Sequence, residues 1–208
     1  MAVVSRAPLA KIGAFKAGKG WTFLPRHDRP RAPGGMGTVT VAPLDEAVDH
    51  VRGAPAGRLI LEYGDYECPY SRQAFREIGH VERKLGDGVR FAFRHFPLTE
   101  IHPHAFAASL AAEAAARQDR FWPMHELLFH HQKALEPDDL RAYAAQLELD
   151  VARWETDLTS AVVLERVRRD AESGFASGEV LGTPTLFIDG VVYEGDYDLA
   201  ALLAALAR

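Results

Sequence analysis

The chain has 208 residues, enough for one ordinary domain with some extension. Its 48% hydrophobic and 25% charged residues are the proportions of a globular protein, and no window is apolar for long enough to span a membrane. A net charge of -5 argues against a nucleic-acid partner, because phosphate binding needs a basic face. Lys11, Lys16 and Lys19 fall where the apolar core of a secretory signal would lie. The expected location is therefore cytoplasmic. A single cysteine agrees, since it cannot form an intramolecular disulfide.

Residues 1–37 read as an extension, ending in a linker that holds Pro30, Pro33, Gly34, Gly35 and Gly37. The domain is expected over 38–208. Residues 38–42 alternate β-branched side chains and suggest a short edge strand. Residues 45–53 read as a polar turn. Residues 58–63 contain Leu59, Ile60 and Leu61, an apolar run suited to a central strand covered on both faces. An acidic turn follows. Pro69 then opens a helix to Leu85, with Ala74, Ile78, Val81 and Leu85 on one face. Residues 89–96 form a second strand with Val89, Phe91, Phe93 and His95 on one side. Strand, helix, strand makes a βαβ unit with parallel strands.

A helical block covers about 104–177. Its segments are 104–117, 121–131, a stretch opened by Pro137, a continuation through Trp154 and Leu158, and 160–176. The chain then returns to β structure at 185–188. Asp189-Gly190 is a hairpin turn, 191–193 its second strand, and Asp198 caps a last helix.

Cys68 stands at the start of the first helix, directly before Pro69. A thiol there faces free backbone N–H groups and the positive end of the helix dipole, which favour the nucleophilic thiolate. Glu62 lies six residues earlier, near the end of the central strand, and a carboxyl buried there could act as acid and base. Glu67 is expected to be solvated and to oppose thiolate formation. The pairs His102/His104 and His130/His131 invite a metal reading, but neither has the ligand spacing of a tetrahedral site, so no metal is expected. His95 reads as a packing or hydrogen-bonding residue.

Glu62, Tyr63, Asp65, Tyr66, Cys68, Pro69 and Tyr70 together resemble the active-site segment of the DsbA-like thiol–disulfide oxidoreductases of the thioredoxin superfamily. Asp49-His50-Val51-Arg52-Gly53 is similar to the lead-in of bacterial members. The resemblance covers about residues 49–208. It implies an α/β thioredoxin-like fold, βαβ then ββα, with a helical insertion between the halves. It also implies that Gly182-Thr183-Pro184-Thr185 is a cis-proline loop lying against Cys68. Thr183, Pro69 and Tyr70 would then contact substrate, and Glu62 would shuttle a proton.

The chain departs from that pattern at Ser71, where the family has its second cysteine. With serine there, a mixed disulfide at Cys68 is released only by an external thiol. Ser71 is expected to donate a hydrogen bond to the Cys68 thiolate. The expectation is a monothiol oxidoreductase acting on protein or small-molecule thiols and disulfides. It would bind no cofactor and would use glutathione or another thiol as co-substrate. Two alternatives stand beside it. One is a glutathione-using transferase or isomerase of kappa-like fold. The other is a redox-inert domain that holds a peptide in the cis-proline groove.

Overall fold

Strand β2, Arg58–Gly64, occupies the middle of a five-stranded sheet. Within its apolar run Ile60 and Leu61 are buried on opposite faces and Leu59 is half-buried, as befits a strand covered on both sides. The computed structural model describes residues 41–208. β1 is His50–Gly53 and β3 is Val89–His95, while β4 is Thr185–Ile188 and β5 is Val191–Val192. The strand order is β1-β3-β2-β4-β5. β2 and β3 are parallel and are joined by helix α1, Pro69–Leu85. The other three pairs are antiparallel. α1 stops at Gly86, whose φ of 51° suits a residue without a Cβ.

Five helices separate β3 from β4. They are α2 (Ala105–Ala116), α3 (Phe121–His130), α4 (Pro137–Gln146), α5 (Val151–Asp157) and α6 (Ala161–Ser177). α2 is alanine-rich and buried over most of its circumference, the pattern of a helix surrounded by others. Trp154 of α5 is fully buried and donates its indole N–H to the Ala111 carbonyl at 3.1 Å. α7, Leu199–Leu206, closes the chain, with Asp198 accepting from the Ala201 N–H at 2.9 Å.

Strand register divides the core in two. Ile60, Phe91, Phe93, Leu186 and Ile188 pack with apolar side chains of α1, α3 and α7. Leu61, Tyr63, Ala92 and Phe187 face the other way, toward Ala171 of α6. Glu62 is opposite Phe93 and Leu186, so it belongs to the first face. On the second face, Gly174 lets α6 approach closely. A Cβ there would come within 2.9 Å of the Phe96 ring and 3.1 Å of Tyr63.

Two expectations change. The stretch read as a polar turn over 45–53 is a turn only at first. Its last four residues are β1, which pairs with β3 from His50↔Phe93 to Gly53↔Arg90. That pairing partner is some forty residues away, so the local pattern did not display it. The edge strand expected at 38–42 begins outside the described residues, and Val41 and Ala42 carry no strand pairing. The extension expected at 1–37 also lies outside them.

Candidate active site

The turn between β2 and α1 is built around Asp65. Its carboxylate is fully buried and accepts from the Glu67 N–H at 2.8 Å, the Leu98 N–H at 2.9 Å and His102 Nδ1 at 2.8 Å. Its carbonyl accepts from the Cys68 N–H at 3.1 Å. Cys68 is therefore delivered to the N-cap of α1 in extended backbone geometry, with φ -73° and ψ 121°. Pro69 takes the first helical position, where the missing N–H costs nothing. The Cys68 carbonyl accepts the first helical bond, from the Arg72 N–H at 3.1 Å.

The Thr183–Pro184 peptide bond is cis. This loop lies against the cysteine, with the Cys68 thiol donating to the Thr183 carbonyl at 3.2 Å. The two neighbouring carbonyls are also engaged. Gly182 accepts from Thr185 Oγ1 at 2.8 Å, and Pro184 accepts from Tyr197 Oη at 2.9 Å. Cys68 is 3% exposed. Pro69 and Tyr70 beside it are exposed, Tyr70 to 65%, so a partner approaching the sulfur meets an aromatic ring at the rim.

Ser71 is buried one turn after Cys68. Its hydroxyl does not reach the sulfur as expected. It accepts instead from the Asp65 N–H at 3.3 Å and so ties α1 back to the turn. Glu67 also differs from expectation. Far from being solvated, it accepts from the His104 N–H at 2.7 Å and from His104 Nδ1 at 2.8 Å. An imidazolium at that place offsets the Glu67 charge beside Cys68.

Glu62 is fully buried, and no described residue hydrogen-bonds either carboxylate oxygen. Desolvation pushes its pKa up to about 8. It is thus a protonated acid near neutral pH. Its carboxyl lies over Gly64, where an added Cβ would come within 2.8 Å of Oε1. The Tyr66 ring is buried among the same groups, and desolvation, with the nearby Glu113 and Glu62 carboxyls, pushes its phenol well up. Tyr66 Oη meets His125 Nδ1 at 3.1 Å. His125 is buried among Phe75, Phe93, Phe121 and Phe129, and desolvation pushes it well below the imidazole range.

Behind the turn is a buried ionic network. Glu113 Oε1 accepts from His50 Nε2 at 2.7 Å and from His95 Nε2 at 2.8 Å. Burial raises the Glu113 carboxyl, but these hydrogen bonds prevail and hold it well below its ordinary range. Asp170 accepts from the His95 N–H at 3.0 Å and pairs with Arg166. His95, Glu113 and Asp170 bring ligand-type atoms within 4.8 Å of one another. Arg166 stands against Asp170 and 3.9 Å from Glu113, so one fixed cation already faces both carboxylates. The cluster fits ion pairing better than a metal.

The structure thus brings Cys68, Ser71, Pro69, Tyr70, Thr183 and Pro184 into one site, with Glu62 buried on the strand beneath the turn. Asp65, His102, His104, His125 and Gln132 also build it and were not among the expected site residues. His102 and His104 stood out in the sequence as a pair. Their partners are 37 residues away, and nothing local pointed to them.

A family model described as thioredoxin matches residues 45–208. The chain is 40% identical over 210 residues to a protein of Mycolicibacterium gilvum named Na(+)/H(+) antiporter NhaA 1, a match covering 97% of this chain and 34% of that protein. It is 43% identical over 169 residues to Na(+)/H(+) antiporter NhaA 3 of Salinispora tropica, covering 80% and 25%. The chain spans between a quarter and about a third of the length of these curated relatives. Among solved structures, a thioredoxin-like oxidoreductase from Silicibacter pomeroyi superposes with a TM-score of 0.69 at 24% identity, covering 77% of this chain and 91% of that one. BdbD from Bacillus subtilis gives 0.69 at 21% identity, covering 78% and 93%. At these identities the likeness establishes a shared fold.

Proposed function

Because the chain belongs to the thioredoxin family and has the DsbA-like form of that fold, we propose that it is a monothiol thiol–disulfide oxidoreductase acting through Cys68. One observation carries this reading. The single cysteine stands at the N-cap of α1, 3.2 Å from the Thr183 carbonyl of a cis-proline loop, with serine at the position of a resolving thiol.

The chemistry balances without a bound cofactor. The Cys68 thiolate attacks a disulfide and forms a new S–S bond with one half. The other half leaves as a thiolate. A second external thiolate then attacks the mixed disulfide and restores Cys68. Glutathione has the right chemistry for this role, and the cytoplasm, with its thiol pool, is where the cycle would run. Glu62, protonated near neutrality, is suited to giving a proton to a departing thiolate and recovering it from an incoming thiol, since its pKa of about 8 lies close to that range. Thr183 and Tyr70 are the surfaces a peptide or glutathione would meet.

We assign the transport named for the longer relatives to the parts of those proteins outside the shared region. No described helix of this chain is long and apolar enough to cross a membrane.

The test is incubation with oxidised glutathione followed by intact mass. One glutathione per chain, removed by reduced glutathione, is the expected result. An unreacted thiol would leave a peptide-binding domain as the better reading. Conjugation of glutathione to an electrophile would favour a transferase.

A further inference from the structure

Four consecutive residues carry the chain from β2 into α1, and each is held from the segment that follows β3. Asp65 accepts from His102 Nδ1 and the Leu98 N–H. Tyr66 Oη bonds to His125 Nδ1. Glu67 accepts from both the backbone and the ring of His104. The carbonyls of Tyr66 and Cys68 both accept from Gln132 Nε2, at 2.8 and 2.7 Å. Gln132 follows α3, so one amide nitrogen ties the helical insertion to the backbone of the cysteine itself.

The turn needs this help. Cysteine is a poor N-cap, and the Cys68 side chain accepts no bond from the free N–H groups of the helix. The position of Sγ follows from the Cys68 backbone, which the turn and Gln132 fix together. We propose that the helical insertion sets the reactivity of Cys68, with Gln132 and His104 as its positioning residues. The inference rests on Cys68 being the reacting thiol. Disulfide exchange needs aligned sulfurs, and a small displacement of one reactant lowers its rate steeply. His104 extends the connection, because its Nε2 also meets Glu136 Oε1 at 3.1 Å at the start of α4. Movement of α4 would therefore be felt at the cysteine. The charged groups facing these histidines are Asp65 and Glu67 for His102, and Glu67 and Glu136 for His104.

Positioning and simple burial predict different rate patterns. Gln132→Met removes the donor at nearly constant volume, and His104→Ala opens the second tie. In both, exchange of Cys68 with oxidised glutathione should slow by about tenfold. Alkylation by iodoacetamide, followed over a pH series so that rates are compared for the thiolate, needs access to the sulfur but no aligned partner disulfide and should speed up. His104→Asn, which keeps a donor at the place of Nδ1, should restore both rates. Gln146→Met, at an exposed site on α4, serves as control. Should Gln132→Met not fold, His104→Ala decides, since its ring is about one-third exposed. Alkylation at the parental rate in the folded variants overturns the inference. Failure of the parent to exchange with glutathione at all overturns instead the function proposed above, and alkylation still reports on the clamp.

Discussion

Cys68 Sγ lies 3.2 Å from the carbonyl oxygen of Thr183, a residue 115 positions later in the chain. Only a thiol can make that bond, because a thiolate has no proton to donate. Once the sulfur is in a mixed disulfide, the carbonyl is open to a backbone N–H of an extended partner. Cys68→Ser keeps a donor at the same place and removes the nucleophile. It should form no adduct with oxidised glutathione by intact mass, and its stability in urea should change by no more than about 1 kcal/mol.

Ser71 sits one helical turn beyond Cys68, with both side chains buried at the same end of α1. Ser71→Cys should therefore give a redox-active pair. Counting free thiols after oxidation should show both consumed within one chain. The reduced variant should convert one equivalent of a model disulfide to its two thiols without glutathione, ending with its own pair oxidised, and the long-lived mixed disulfide of the parent should disappear. Two thiols left free after oxidation would show that the positions do not meet.

Glu62 has a folded-state pKa of about 8 and an ordinary one of 4.5. Between these values the folded protein holds a proton that the unfolded chain has lost. Stability therefore falls as pH rises through that interval, by an amount on the order of 5 kcal/mol across it. Glu62→Leu should remove this slope and stabilise the protein at pH 8 far more than at pH 4, as urea midpoints at several pH values will show. Glu62→Gln should alter the pH dependence of exchange at Cys68. An unchanged profile would remove Glu62 from the proton path.

The elements that announced themselves in the sequence are those whose signals are local. Cys68-Pro69 begins α1, Gly86 ends it, and Asp189-Gly190 turns β4 into β5. The parallel pairing of β2 and β3 follows from the helix between them. β1 was not legible, because His50–Gly53 becomes a strand only through pairing with β3. The same holds at the site. Cys68, Pro184 and Ser71 could be picked out from short motifs, whereas the roles of Asp65 and Gln132 exist only once the insertion folds back over the turn. Glu67 illustrates the point, since its solvent-facing appearance in the sequence is cancelled by His104.

His102 is held above the ordinary imidazole range mainly by its hydrogen bond to Asp65, and His104 mainly by its bond to Glu67. A histidine raised in this way stabilises the fold fully below its unfolded value of about 6.5 and loses that contribution as pH rises through the folded value. The effect has the same sign as that of Glu62. In a Glu62→Leu background, the remaining loss of stability above neutrality should come from these two residues. Adding His102→Ala should lessen it and adding His104→Ala as well should flatten it, measured again by urea midpoints against pH. A slope that survives all three substitutions would assign it elsewhere.

Asp49 and Arg94 form a bidentate pair at 3.0 and 2.7 Å, with both side chains almost completely buried. Burial alone would raise the Asp49 carboxyl, but the Arg94 hydrogen bonds hold it below its ordinary range. Asp49→Ala leaves the guanidinium buried without its partner and should cost about 3–5 kcal/mol in chemical denaturation. Exchange at Cys68 in the folded fraction should be little changed.

The same guanidinium does one thing more. Its two terminal nitrogens donate to the carbonyls of Ala42 and Pro43 at 2.9 Å, and one also reaches Tyr63 Oη at 2.9 Å. The described chain thus enters the domain with two successive carbonyls fastened to one buried side chain. Arg94 lies on β3, which runs into the loop carrying His102 and His104, so the strand that anchors the entry of the described chain also leads to the residues that hold the cysteine turn.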